Sequence, residues 1–227
     1  MQAIKVAVDA VVFGYKEKEL YLLLIKRKYA THQNQWALPG GFVHTDEALT
    51  DAVQRELQEE TGITVNYLEQ LYTFGDQLDR DPRGRVISIA YFGLVNPEKL
   101  TLMAATDAQE AKWFPMSRIP ELAFDHEVIV QKAKERLHAK VHYQPIGFDL
   151  LNKEFPFSDV EQLYQAILQK KIDRRNFRKK LLSFGFLQET DKIHSEGSGR
   201  PAKLFTFNKD KYQQLEKEGF YFEIKFA

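Results

Sequence analysis

The chain of 227 residues contains no cysteine, which excludes disulfide bonds, thiolate metal ligands and a cysteine nucleophile. It also has no apolar run long enough to cross a bilayer. Its first residues, MQAIKVAVDAVVFGY, alternate between apolar and polar like a strand, and they lack the charged start and cleavage site of a secretory signal. These absences predict a cytoplasmic protein with no membrane partner.

The chain has no net charge, because 32 Lys and Arg balance 32 Asp and Glu, but the charges are unevenly distributed. Residues 138–227 hold 16 basic against 12 acidic side chains, and residues 1–137 hold 16 against 20. The length allows one large domain or two ordinary ones. The distribution predicts an acidic catalytic or ligand-binding domain joined to a more basic module with an anionic partner.

The segment GFVHTDEALTDAVQRELQEETGI, residues 41–63, concentrates carboxylates on one predicted helix. At 3.6 residues per turn, Glu56, Glu59 and Glu60 project from an arc of roughly 100°. Carboxylates this close repel one another unless a cation lies among them, and their hard oxygens suit Mg²⁺ or Mn²⁺. Thr45 or Asp46 is expected to cap the start of this helix.

This segment matches the pattern G-x5-E-x7-R-E-U-x-E-E-x-G-U, in which U is aliphatic, at every fixed position. It resembles the Nudix box, the signature of enzymes that hydrolyse a nucleoside diphosphate linked to another group. The resemblance implies an α/β fold, with a Nudix α/β/α sandwich over residues 1–142. The matching positions are Gly41, Glu47, Arg55, Glu56, Leu57, Glu59, Glu60, Gly62 and Ile63.

The box residues have distinct expected roles. The resemblance implies that Glu56, Glu59 and Glu60 bind Mg²⁺ or Mn²⁺, with Glu47 as a further ligand, either directly or through water. The metal would neutralise phosphate charge and lower the pKa of a bound water. Arg55 lies one turn before Glu59 and can fix the direction of that carboxylate. Glu59, Glu60 and Arg55 are therefore the predicted catalytic residues.

Two glycines frame the box helix. Gly41 lets the chain turn sharply ahead of the helix, and Gly62 suits its C-terminal end. Outside the box, several roles stay open between function and an ordinary surface or core position. The candidates for the general base are Glu110, Asp79 and Asp81; those for ligand binding are Arg83, Arg85 and His126; those for stacking on an adenine are Tyr72, Phe74 and Tyr91.

Residues 143–227 have the sequence form of a winged helix-turn-helix domain. Ser158 and Glu161 fit a capping box for a first helix, and a second helix begins near Asp173 after only three or four residues. On the second helix, Phe177, Leu181 and Phe184 are expected to face inward. The segment FLQETDKIHSEGSGRPAKLFTF then supplies two strand-like stretches joined by a loop, as a wing would.

The second helix, DRRNFRKKLLSFG, carries its cations on an arc of about 140° that avoids the apolar face. Such a helix fits the major groove of DNA, where arginine pairs with guanine and lysine neutralises phosphates. A solvated helix face and a protein-interaction module are the competing interpretations. The predicted DNA-binding residues are Arg174, Arg175, Arg178, Lys179, Arg200 and Lys203.

The combination of both halves resembles the Nudix-related transcriptional regulators of bacteria, through the stretches FDH, RNFRKK and GRPAKL as well as the box. The resemblance implies a homodimer that binds a palindromic double-stranded DNA operator. The implied effector is ADP-ribose, a nucleotide sugar or a sugar such as L-arabinose. Many of these regulators have a damaged box, whereas this one is intact.

The predicted function is therefore a ligand-responsive transcriptional regulator that retains Mg²⁺-dependent hydrolysis of ADP-ribose or a related nucleoside diphosphate derivative. Two alternatives stay open. One is a pyrophosphohydrolase that acts alone and uses its C-terminal domain for dimerisation. The other is a non-catalytic sensor of a sugar or of ADP-ribose.

Overall fold

The computed structural model describes residues 4–29, 31–103, 108–194, 201–219 and 223. The chain divides into two compact units, Met1–Arg136 and Leu137–Ala227. The domain boundary expected after residue 142 stays a prediction. None of the helices formed by the described residues is both long and apolar enough to span a bilayer.

In the first unit, the described residues form one mixed sheet of seven strands. The strand order is β3-β2-β1-β6-β5, with β4 also paired to β1 and β7 to β2. The β1–β6 pair is parallel and the other pairs are antiparallel. The strands are β1 (Lys5–Lys16), β2 (Glu19–Arg27), β3 (Trp36–Ala37), β4 (Gly40–Phe42), β5 (Tyr67–Phe74), β6 (Val86–Val95) and β7 (Ala108–Pro115).

Helix α1 (Leu49–Thr61) carries the box, and the long helix α2 (His126–Tyr143) follows β7. The apolar face of α1, with Val53 and Leu57 fully buried, packs in one cluster with Val8, Val12 and other side chains of the sheet. Because successive strand residues point to opposite faces, the fully buried Val11 lies on the other side of the sheet. Burial on both faces agrees with the expected sandwich.

The end of α1 confirms one expectation and its start contradicts another. Gly62 adopts the left-handed conformation, with φ 74°, and its N–H donates to the carbonyl of Gln58. The helix begins after Ala48, which makes no side-chain cap, so the prediction of a cap by Thr45 or Asp46 is wrong. The physical reason is that Glu47 organises this loop instead, by accepting the N–H of His44.

The second unit is built on a small antiparallel sheet with the strand order β8-β10-β9. Its core is rich in aromatic rings. The ring centres of the stacked pair Phe148 and Phe207 are 4.4 Å apart, and those of Tyr164 and Phe177 are 5.1 Å apart. The elements are β8 (Phe155–Pro156), α3 (Phe157–Leu168), α4 (Arg174–Ser183), β9 (Leu187–His194), β10 (Ala202–Phe207) and α5 (Lys209–Lys217). This arrangement confirms the predicted winged helix.

The two helices of the helix-turn-helix begin differently. Helix α4 starts at Arg174, close to the predicted start near Asp173, and Asp173 caps it by accepting the N–H groups of Arg175 and Asn176, at 3.0 and 3.1 Å. The capping box predicted for α3 is wrong, because that helix begins after Pro156 without a side-chain cap. Glu161 is buried instead and accepts a hydrogen bond from Arg174.

Candidate functional site

The Nudix box folds around the guanidinium group of Arg55. This group binds Glu47 through two hydrogen bonds, of 2.9 Å from Nε and 2.7 Å from Nη2. Its Nη1 donates to Glu56 at 2.8 Å and to Glu59 at 3.3 Å. The two-pronged pair with Arg55, helped by the N–H of His44, lowers the pKa of Glu47 to about 2. Arg55 is thus the cation that relieves the repulsion among these carboxylates.

The fourth carboxylate of the box points to the strand β4 rather than to Arg55. Glu60 is buried, and its Oε2 accepts the N–H of Gly40 at 2.8 Å. Beside it, Gly41 lies directly under Glu56, so that a Cβ at position 41 would stand 2.2 Å from Oε1 of Glu56. The glycine requirement at position 41 therefore comes from close approach to a box carboxylate.

The oxygen donors of Glu56, Glu59 and Glu60 line one pocket, and they are the hard ligands that Mg²⁺ prefers. Within the described residues, however, no group of three or more His, Asp or Glu side chains converges on one metal position. The contacts of Arg55 explain this, because they hold Glu56 and Glu59 on the guanidinium. The donor set fits the metal chemically, and binding would require these carboxylates to exchange Arg55 for the ion.

The pocket in front of α1 has a volume of about 410 Å³ and combines both signs of charge. Carboxylates from α1 and guanidinium groups from β2 and from the loop after β5 line the same space. A diphosphate in this pocket can meet the guanidinium groups directly, and a metal ion can bridge it to the carboxylates. The charged lining residues are the acids Asp9, Glu56, Glu59, Glu60 and Asp81 and the bases Arg27, Lys28, Arg55, Arg80 and Arg83.

A buried polar network lies at one side of the pocket. Arg80 forms two hydrogen bonds with Asp125, of 2.9 and 2.5 Å, and its Nη2 lies 3.8 Å from Asp9. Asp9 also accepts a hydrogen bond from the hydroxyl of Ser88. The Nε2 atom of His126 lies 3.5 Å from Asp9. Burial opposes the charge of Arg80, but the carboxylates of Asp125 and Asp9 raise its pKa, so the network holds a permanent cation.

His126 connects this network to the loop before the box. Its Nδ1 accepts the N–H of Leu38 at 2.9 Å, which requires an unprotonated Nδ1 and places the ring proton on Nε2. Burial lowers the pKa of His126, despite the attraction of Asp9. A neutral histidine therefore anchors Leu38, while Glu60 anchors Gly40 two residues later.

Arg83 is fixed at the pocket wall by one carboxylate and two rings. Asp81 accepts three of its N–H groups at 2.7–3.0 Å, including the backbone N–H. The guanidinium lies 4.9 Å from the ring centre of Phe42 and 5.4 Å from that of Phe124. Arg27 also lies over Phe124, at 4.9 Å. These contacts present two arginine side chains with little freedom left to lose when an anion binds.

The structure brings only some of the ligand-binding candidates to the pocket. Arg83, His126 and Asp81 line it, although Asp81 is engaged by Arg83. Arg85 instead donates to the carbonyl of Gly75 at 2.6 Å. Of the described residues that line the pocket, none belongs to the remaining candidates for general base or adenine stacking, which are Asp79, Glu110, Tyr72, Phe74 and Tyr91.

Sequence reasoning missed Asp9, Arg27 and Arg80 as pocket residues. Asp9 is a charged residue inside the otherwise apolar stretch KVAVDAVVF, and that local exception was a usable signal. Arg27 ends β2, where a strand delivers a side chain to the edge of a sheet. Arg80 carried no signal, because it lies in a loop where acidic and basic residues alternate.

In the second unit, the predicted DNA-binding cations of α4 are exposed but differ in their contacts. Arg174 donates to Glu161 at 2.8 Å, and Arg178 lies 4.6 Å from the ring centre of Phe157. The side chains of Arg175 and Lys179 make no hydrogen bond, ion pair or ring contact with any described residue. On β10, Lys203 pairs with Glu189. Arg200, also predicted, lies outside the described residues.

The fold and the site define the class of protein: a Nudix domain followed by a DNA-binding winged helix. Residues 3–133 match the NUDIX domain family, and residues 147–207 match the NrtR DNA-binding winged helix domain. The chain belongs to the Nudix family and, within it, to the NrtR-type transcriptional regulators.

Similar proteins support each half of this assignment. The ADPR responsive transcriptional repressor NtrR of Acinetobacter baylyi is 33% identical over 204 residues, which cover 88% of this chain and 80% of the relative. The ADP-ribose pyrophosphatase of Methanocaldococcus jannaschii is 43% identical over 127 residues, covering 56% and 70%. The crystal structure of Shewanella oneidensis NrtR complexed with a 27mer DNA matches with a TM-score of 0.82 at 30% identity, covering 97% and 99%.

Proposed function

We propose that this protein is a transcriptional repressor whose Nudix pocket binds ADP-ribose, and whose homodimer binds a palindromic DNA operator. The observation that carries the proposal is the presence, in one chain, of a pocket lined by both arginines and box carboxylates and of an exposed basic α4. The similarity to an ADPR responsive repressor supports the ligand and the sign of regulation. A cytoplasmic location stays a prediction.

The charges of the pocket favour a diphosphate over an uncharged sugar. Arg27 and Arg83 are held in place by Phe124, and they offer planar, two-pronged donors that match phosphate oxygens. An uncharged sugar such as L-arabinose would bring no phosphate oxygens to either guanidinium group, although Arg83 already pairs with Asp81. ADP-ribose could therefore bind more of the charged side chains of the pocket than an uncharged sugar could.

We also propose that the pocket hydrolyses ADP-ribose when Mg²⁺ or Mn²⁺ is bound by Glu56, Glu59 and Glu60. The metal would supply charge neutralisation and a water of lowered pKa. The protein contributes the orientation: Arg55 holds Glu47, while Glu60 and His126 keep the loop before the box in place. The relationship to an ADP-ribose pyrophosphatase supports this activity.

Incubation with ADP-ribose and Mg²⁺ tests the hydrolysis, with AMP and ribose 5-phosphate as the expected products. A Glu59→Gln variant should lose most of the turnover, because it removes one carboxylate while keeping the shape of the side chain. Asp51→Asn, an exposed change on the same helix α1, should turn over at the wild-type rate. Absence of products across a panel of nucleoside diphosphate derivatives would rule out the hydrolase.

A second candidate function is a sensor that binds ADP-ribose without cleaving it. The contacts of Arg55 favour it, since this side chain satisfies Glu47, Glu56 and Glu59 in the way a metal would. Calorimetric titration with ADP-ribose separates the candidates: a sensor binds with equal affinity with Mg²⁺ or with EDTA and forms no product. A hydrolase needs the metal for turnover.

A further inference from the structure

The side chains in the first turn of α4 differ in whether they have a partner within the protein. Arg174 is bound to the buried carboxylate of Glu161 at 2.8 Å. Asn176 donates its side-chain amide to Asp173 at 2.7 Å, and Phe177 is buried in the core. Arg175 is the exposed residue of this turn whose side chain has no partner among the described residues.

The position of Arg175 is electrostatically unfavourable in the free protein. The N-terminus of a helix carries a partial positive charge, so an arginine in the first turn is repelled unless an anion or acceptor lies near it. Arg174 has such a partner in Glu161. The carboxylate of Asp173 is already occupied by the backbone N–H groups of Arg175 and Asn176. An external acceptor for the Arg175 guanidinium would therefore relieve this repulsion.

Two other cations of α4, Arg178 and Lys179, differ in how firmly their side chains are held. The guanidinium of Arg178 is fixed over the rings of Phe157 and Phe205, at 4.6 and 5.3 Å, which limits its reach. Lys179 is exposed and without a side-chain partner in the described part of the chain. It lies on the same side of the helix as Arg175, where a point charge suits phosphate rather than a base edge.

We propose that Arg175 is the residue that determines the sequence preference of this protein, by pairing through its two-pronged guanidinium with O6 and N7 of a guanine in the major groove. Residues at the start of a recognition helix contact base edges in helix-turn-helix proteins. Lys179 contributes charge to the phosphates, and Arg174 supports the helix through Glu161. This inference rests on the proposed DNA-binding function.

The test uses the full chain and a library of double-stranded DNA, with selection followed by affinity measurements on the preferred sequence and on random DNA. Arg175→Ala should reduce the ratio of the two affinities roughly 5- to 150-fold and abolish the preference for guanine at one position of each half-site. Arg175→Lys should lose the same preference while keeping the salt dependence, because the charge stays but the fork does not.

Two variants on the same helix serve as matched controls. Lys179→Ala should weaken binding to both DNAs alike and reduce the slope of log affinity against log salt by about 0.9. Lys180 lies roughly 100° from Lys179 around the axis of α4, with its Nζ 5.1 Å from the ring centre of Phe184. Lys180→Ala should therefore leave the ratio of specific to random DNA affinity unchanged. Circular dichroism confirms that each variant is folded.

The proposed role of Arg175 is overturned if Arg175→Ala leaves the base preference intact at every position. It is also overturned if Arg175→Ala weakens binding to the preferred sequence and to random DNA equally, as Lys179→Ala should. If Lys180→Ala lowers the ratio as much as Arg175→Ala, the assignment is overturned as well. A wild-type chain that selects no sequence would instead remove the DNA-binding proposal itself, and the two failures are thus distinguishable.

Discussion

Arg55 holds Glu47 by two parallel hydrogen bonds, of 2.9 and 2.7 Å, across eight residues of sequence. This pair ties the loop before α1 to the helix. The same guanidinium reaches Glu56 and Glu59, so its loss would affect every carboxylate on that side of the box.

Removal of Arg55 should raise the pKa of Glu47 from about 2 toward its ordinary value of 4.5, with the N–H of His44 still holding it below that value. Carbon NMR titration of the Glu47 carboxyl group in the wild type and in Arg55→Ala measures this directly. Since the pKa is depressed in the folded state, the pair stabilises the fold above pH 4.5, and this contribution is lost as the pH falls toward 2. An unchanged Glu47 titration in Arg55→Ala would contradict the pairing.

Gly41→Ala should impair the box without changing any carboxylate. A Cβ at this position would meet Glu56 at 2.2 Å, and the displaced side chain could no longer take its place beside Glu59 and Glu60. We expect a loss of about 10- to 100-fold in metal affinity or turnover, as when a ligand loses its orientation. Gly75→Ala is the control, because its nearest neighbour is the Ile87 side chain at 3.3 Å. Equal effects of both changes would contradict the close-approach argument.

His126 should stay neutral, with its proton on Nε2, as the pH falls below 6.5. Burial lowers its pKa in the folded state, so below that pH the unfolded chain binds more protons and stability decreases with falling pH. The slope contributed by this one group cannot exceed about 1.4 kcal/mol per pH unit. Nitrogen-15 NMR identifies the tautomer, and a proton on Nδ1 at neutral pH would be inconsistent with the bond from Leu38.

Replacement of His126 should destabilise the loop before the box. In His126→Ala the buried N–H of Leu38 loses its acceptor, at a cost of about 1–3 kcal/mol in the free energy of unfolding, in addition to the cavity. His126→Gln offers an amide oxygen and should recover part of this loss. Urea denaturation measures both, and equal destabilisation by the two changes would indicate that packing alone matters.

Asp173→Ala should weaken α4 by about 0.5–2 kcal/mol, because it removes the acceptor of two backbone N–H groups. Asp173→Asn keeps the shape of the side chain and an oxygen that can cap, and it removes the charge, so it should retain most of the stability. Thermal denaturation of the two variants compares them. Equal loss in both would mean that the negative charge, rather than the cap, stabilises the helix start.

The local parts of this fold could be predicted from the sequence. The helix end at Gly62, the helix start near Asp173 and the strand β1 each follow from residues within a few positions. The strand β7 was missed, because most of its residues are only partly buried or exposed and it lacks a clear alternation. The sequence pattern at Ser158 and Glu161 also gave a wrong prediction, because Glu161 forms an ion pair with Arg174 instead of a capping box.

The site could be predicted only as far as the box. Glu56, Glu59 and Glu60 share one helix, so their spacing places them together. Asp9 and Arg80 reach the same pocket from segments 71 residues apart, and only the sheet brings them within 3.8 Å. No periodicity connects such positions, because their proximity is a property of strand order rather than of spacing.

The central claim is that ADP-ribose in the Nudix pocket controls binding of the winged helix to DNA. It is tested most directly by fluorescence anisotropy of a labelled operator titrated with this protein, with and without saturating ADP-ribose. We expect operator affinity to change roughly 5- to 150-fold in the wild type, and little in Arg27→Ala, whose pocket lacks one phosphate partner. An operator affinity unaffected by bound ADP-ribose would contradict it.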